Sequence, residues 1–86
     1  MTTNYVPVQP LDLGARKMHL NETIGRNVRR MMAAEDTSMT SLAKRCGMST
    51  AAMARIVSGD APPSMMQALS VCEVLDCSLD ALVEGL

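Results

Sequence analysis

Residues 38–59, SMTSLAKRCGMSTAAMARIVSG, constrain the fold more than any other stretch of the chain. Apolar Met39, Leu42, Ala43 and Cys46 recur at i, i+3, i+4 and i+7, which places them on one face of a helix. Met53, Ile56 and Val57 repeat the spacing in a second run that stops at Gly59. Ser38 and Ser49 each stand just before such a run, where an N-cap hydroxyl accepts one of the backbone N–H groups left free at a helix start. The pattern predicts two short helices joined by a tight turn at Gly47.

The flanking segments extend the same reading. Asn21 is expected to cap a first helix, with Leu20 stapling its entry and Ile24, Val28, Met31 and Met32 at helical spacing to about residue 35. Pro7, Pro10 and Gly14 argue against a helix upstream, so residues 1–20 are expected to form an extended or disordered arm. After the loop Gly59-Asp60-Ala61-Pro62-Pro63, Ser64 is expected to cap a helix near 65–75, with Met65, Ala68, Leu69, Cys72 and Leu75 inward. Ser78 caps a last helix whose apolar side would be Leu79, Leu82, Val83 and Leu86. Five short helices with short links over 21–86 make a compact all-α domain.

Charge divides the chain more sharply than the net −1 suggests. All eight Lys and Arg lie between Arg16 and Arg55, and residues 16–59 sum to +5. Residues 60–86 hold five acids and no base. A basic half can neutralise phosphates while an acidic half is repelled by them, so the asymmetry also orients the molecule. Cys46, Cys72 and Cys77 have no metal-ligand or CxxC spacing and read as reduced thiols of a cytoplasmic protein. No run approaches the length of a membrane span, and no signal-peptide core is present. With His19 as its one histidine and no paired carboxylates, the chain is not expected to be an enzyme, and no cofactor, metal or small-molecule ligand is indicated.

Helix, tight turn, helix is the framework that sets a second helix in the DNA major groove. From Ile24 to Val83 the chain resembles the Cro and phage-repressor helix-turn-helix family, of lambda-repressor-like fold. Leu42-Ala43 is similar to the Leu-Ala pair of the first motif helix, Gly47 to the turn glycine, Met48-Ser49 to the entry of the recognition helix and Gly59 to its terminator. Leu75-Asp76-Cys77-Ser78-Leu79-Asp80-Ala81-Leu82 resembles the family's closing pattern. Three positions depart from it. Met39 stands where the family often has a phosphate-binding Gln. Met32 and Val57 replace a frequent Arg–Glu pair, and both have become apolar together, so no charge is stranded.

The resemblance implies double-stranded DNA, an operator, as partner. Ser49, Thr50, Ala51, Ala54 and Arg55 are the base-reading candidates, and Arg55 alone among them can grip guanine with two hydrogen bonds. Arg29, Arg30, Ser38, Thr40, Lys44, Arg45 and Ser58 are candidates for phosphate contact, with Arg16 and Lys17 on the arm. A homodimer is expected, with Leu82, Val83 and Leu86 as its candidate surface. The expected function is a transcriptional regulator, of repressor type from a phage, prophage or plasmid. The alternative is a protein-interaction module or antitoxin-like partner that keeps the fold with weak base reading.

Overall fold

Four helices of this chain begin at a serine, as its cap chemistry predicts. The structure, a computed structural model, describes residues 13–86. Its helices are α1 (Leu13–Ala34), α2 (Met39–Arg45), α3 (Thr50–Val57), α4 (Met65–Leu75) and α5 (Leu79–Leu82), with no strand among the described residues. Ser38, Ser49, Ser64 and Ser78 accept from the backbone N–H of Ser41, Ala52, Gln67 and Ala81 at 3.1, 3.0, 3.1 and 3.2 Å. Each such bond is worth about 1 kcal/mol to its helix. Gln67 returns the favour at α4, its Oε1 accepting from the Ser64 N–H at 2.9 Å.

The helix ends share one mechanism as well. Gly47 and Gly59 have φ of 71° and 85°, and the following N–H reaches back to the last turn: Met48 to the Ala43 carbonyl, Asp60 to that of Arg55, both at 2.8 Å. Asp36 and Asp76 take the same left-handed conformation after α1 and α4, where Thr37 N–H bonds the Met32 carbonyl and Cys77 N–H that of Cys72. A short polar side chain tolerates that conformation where most residues do not.

The core forms where α2 and α3 pack on α1 and α4. Leu42 and Met53 are wholly buried, with Val28, Ala43, Val57, Val71, Cys72 and Leu75 around them. At Gly25, α1 meets α3 backbone to backbone: a Cβ there would lie 2.5 Å from the Val57 carbonyl oxygen and 2.9 Å from that of Ile56. One turn further along α1, the Arg29 guanidinium donates to the same Val57 carbonyl. Asn27 ties the other end of the molecule, its Nδ2 donating to the carbonyls of Leu82 at 2.7 Å and Glu84 at 3.0 Å. The position of α3 is thereby set by α1, through one notch and one hydrogen bond.

Three expectations need correction. Asn21 is no cap: it lies inside α1 and is buried, because Leu13 to Leu20 continue the helix, and Gly14 near its start does not prevent it. Residues 13–20 therefore belong to α1, and residues 1–12 of the expected arm lie outside the described residues. On α4 the inward side is Ala68, Val71, Cys72 and Leu75, whereas Met65 and Leu69 are exposed. At the C-terminus only four residues are helical, so Leu79, Leu82, Val83 and Leu86 do not share a helix face; Leu82 is buried while Leu79 and Leu86 are exposed.

Candidate nucleic-acid interface

Burial of Met53, Ile56 and Val57 fixes which side of α3 turns outward. That side carries Ser49, Thr50, Ala51, Arg55 and Ser58, all exposed, with Ala52 and Ala54 half-buried along its flanks. On α2, burial of Leu42 and Ala43 leaves Ser38, Thr40, Ser41, Lys44 and Arg45 exposed. The two helices thus expose small and hydroxylated side chains with three cations among them. Lys44 and Arg45 lie in the last turn of α2 and Arg55 in that of α3, where the helix dipole favours positive charge. Alanine methyls on α3 let another surface approach its backbone closely.

Arg29, Arg30 and Ser58 are engaged within the fold, whereas Arg16 and Lys17 are exposed on α1. Arg29 donates to Val57, as described above. Arg30 lies 3.6 Å from a carboxylate oxygen of Glu84, with both side chains more than half exposed, a contact worth at most about 1 kcal/mol. Ser58 Oγ lies 3.1 Å from the Arg55 carbonyl and 3.0 Å from Asp60 Oδ2, so its proton has acceptors inside the protein. Asp60 also sets a carboxylate at the C-terminal end of α3, which disfavours a phosphate there. On α2 and α3 the cationic character rests on Lys44, Arg45 and Arg55.

Sequence reasoning passed over Ser41, exposed in the first turn of α2, and Gln67. Together with Met48, Ala52, Arg55 and Pro62, Gln67 lines a shallow cleft of about 200 Å³ beside α3. The Ser64-x-x-Gln67 spacing, a capping box, was the signal available for it.

The large exposed apolar side chains among the described residues lie on elements other than α2 and α3. They are Leu13 and Met18 on α1, Met65, Met66 and Leu69 on α4, and Leu79 and Leu86 near the C-terminus. Leu82, expected on a dimer surface, is only 2% exposed and belongs to the core; Val83 is half-buried. Burial pushes the Cys46 thiol up, opposed in part by Arg45. Burial, the neighbouring Cys72 thiol and the Asp76 charge push Cys77 up to about 11. Both stay protonated at neutral pH and are poor nucleophiles and ligands in that form. No cluster of metal-ligating side chains occurs among the described residues, and no helix there is long and apolar enough to cross a membrane.

Compared with known protein families, residues 27–84 match the model described as a Cro/C1-type HTH DNA-binding domain. The span begins midway along α1 and takes in α2 to α5. No individual curated protein matches the chain.

Proposed function

From the premise that this chain belongs to the Cro/C1-type helix-turn-helix DNA-binding family, we propose that it is an operator-reading repressor that inserts α3 in the major groove. One observation supports this reading above others: the exposed face of α2 and α3 is small, hydroxylated and cationic, while the large exposed apolar side chains lie elsewhere. A module that had exchanged DNA for a protein partner on this face would bring aromatic or aliphatic anchors to it. The groove demands the opposite: cations for the backbone and side chains short enough for the helix to approach the bases.

In this reading Lys44 and Arg45 hold phosphates, assisted by the hydroxyls of Ser38 and Thr40. Ser49 and Thr50 reach base edges at the start of α3, and the Ala51 and Ala54 methyls meet thymine methyls. Arg55 takes guanine. The acidic segment 60–86 faces away from the duplex. Two copies pair so that their α3 helices enter successive major grooves about 34 Å apart. With Leu82 in the core, the pairing contact falls to Leu86 and the open flank of Val83. The chain acts in the cytoplasm as a phage, prophage or plasmid regulator.

A duplex selected from a random library by the full chain provides the test. Anisotropy titration near physiological salt is expected to give at least about a thousandfold preference for the selected duplex over random DNA. Arg55→Ala is expected to weaken the selected complex by about 5- to 150-fold, equivalent to about 1–3 kcal/mol, and the random complex far less. Failure of any sequence to be enriched, or equal losses on both duplexes, contradicts base reading by α3.

A further inference from the structure

The left-handed turn that ends α4 carries a thiol on each side. Asp76 takes a φ of 53°, and the Cys77 N–H bonds the Cys72 carbonyl at 2.9 Å. In a termination of this kind the two residues so joined also bring their side chains together. At the other left-handed helix ends the joined residues are Met32 with Thr37, Ala43 with Met48 and Arg55 with Asp60. At α4 both are cysteines. Cys72 is only 7% exposed, and half-buried Cys77 packs against the same core.

The backbone bond also limits how far apart the pair can be. With 2.9 Å between N and O, the two Cα atoms lie within about 6.8 Å of each other whatever the angles. Disulfides span Cα separations of about 4.4–6.8 Å. Both cysteines are free thiols, and neither lies on α2 or α3. We propose that Cys72 and Cys77 form an oxidation site that closes an intramolecular disulfide across the turn between α4 and α5 when the protein meets a peroxide.

Cys77, the more open of the two, reacts first. Its Sγ gives its proton to water and attacks one oxygen of hydrogen peroxide. The O–O bond breaks, and the departing hydroxide takes up a proton to become water, leaving Cys77 as a sulfenic acid. The Cys72 Sγ then attacks the Cys77 Sγ and the S–O bond breaks. That second hydroxide takes the Cys72 proton and leaves as water. The two sulfurs have lost a pair of electrons and the peroxide has gained it. Burial, the Cys72 thiol and the Asp76 charge all disfavour the Cys77 thiolate, so the first step is slow at neutral pH and the pair rests reduced. The same preference for the proton makes Cys77 a poor leaving group, so the closed disulfide yields slowly to a monothiol.

Trypsin cuts after Arg45 and Arg55 and finds no Lys or Arg beyond, so Cys46 falls in one peptide and Cys72 with Cys77 in the next. Folded, full-length protein is treated with hydrogen peroxide, blocked with iodoacetamide and digested. The peptide that starts at Ile56 is expected to be lighter by two hydrogens and unblocked, with the Cys46 peptide unlinked to it. The rate of closure is expected to rise about tenfold per pH unit between about pH 7 and pH 10, past the point near 8.5 where an ordinary cysteine levels off. Cys77→Ser is expected to abolish closure. The oxidised chain is expected to keep its Met53 methyl shifts and to melt at least about 5 °C higher, because the closed loop removes entropy from the unfolded chain. Disulfide-linked dimers, a link to the Cys46 peptide, or a peptide that gains oxygen without closing would overturn the proposal. So would an oxidised chain that melts below the reduced one, which would show that the native turn does not accommodate the bond.

Discussion

Gly25→Ala is expected to destabilise the protein by about 2–3 kcal/mol, although alanine is the better helix former. In an exposed helix interior the exchange would stabilise by about 1 kcal/mol. Here the added carbon would lie 2.5 Å from the Val57 carbonyl oxygen and 2.9 Å from that of Ile56. Both neighbours are backbone, so no side chain can rotate away and α1 must separate from α3. Overpacking of that kind costs about 1–3 kcal/mol, occasionally more. Separation also weakens the Arg29 bond to Val57, one to a charged donor and so worth about 1.5–3 kcal/mol. A domain this small has a total stability of about 4–13 kcal/mol, so the melting temperature should fall by about 10–20 °C. Gly14→Ala, in the exposed first turn of α1, is the control and should hold or raise stability. A Gly25→Ala protein as stable as the parent would show that α1 and α3 do not meet at this notch.

The largest expected effect on binding comes from removing three cations together. Lys44→Ala, Arg45→Ala and Arg55→Ala combined should weaken the selected DNA complex by about 100-fold or more at about 0.1 M salt. Two of the losses are phosphate contacts, so the slope of log affinity against log salt should fall in magnitude by about 2. All three side chains are exposed and make no hydrogen bond or ion pair to another side chain among the contacts described, so thermal stability should change little. Arg30→Ala offers the contrast. Its partner Glu84 belongs to the acidic C-terminal segment, and the expected change in affinity and salt slope is small. An Arg30 effect as large as the triple variant's would move the interface to the side of the molecule where Arg30 meets Glu84.

The features legible in the sequence were those set by neighbours a few residues away. A serine accepting from the N–H three residues on needs no tertiary partner, and Ser38, Ser49, Ser64 and Ser78 all cap helices where the pattern put them. Gly47 and Gly59 end helices for equally local reasons. The seven- and eight-residue helices α2 and α3 were long enough for their apolar spacing to fix which side is buried.

Other features depended on groups distant in sequence. Asn21 has the chemistry of a cap, yet the residues before it form helix too, and in that setting it is a buried interior residue. At four residues, α5 is too short for spacing to define a face, and Asn27, 55 residues away from Leu82, helps hold it. Gly25 reads as a mild helix defect until the backbone of Val57 arrives beside it. The site divides along the same line. Exposure of Thr50, Ala51 and Arg55 follows from the helix period. The bond from Arg29 to Val57 depends on tertiary proximity, and that between Ser58 and Asp60 on how the chain turns after α3.

The central claim, that α3 is the reading helix, is tested most directly by mapping backbone amide shifts as the selected duplex is titrated into labelled protein. The account predicts the largest changes at Ser49, Thr50, Ala51, Ala54 and Arg55, with a second group at Ser38, Thr40, Lys44 and Arg45, and little change through Met65–Leu75. Changes centred on α4 and the C-terminal turns, with Ser49 to Arg55 unmoved, would contradict it.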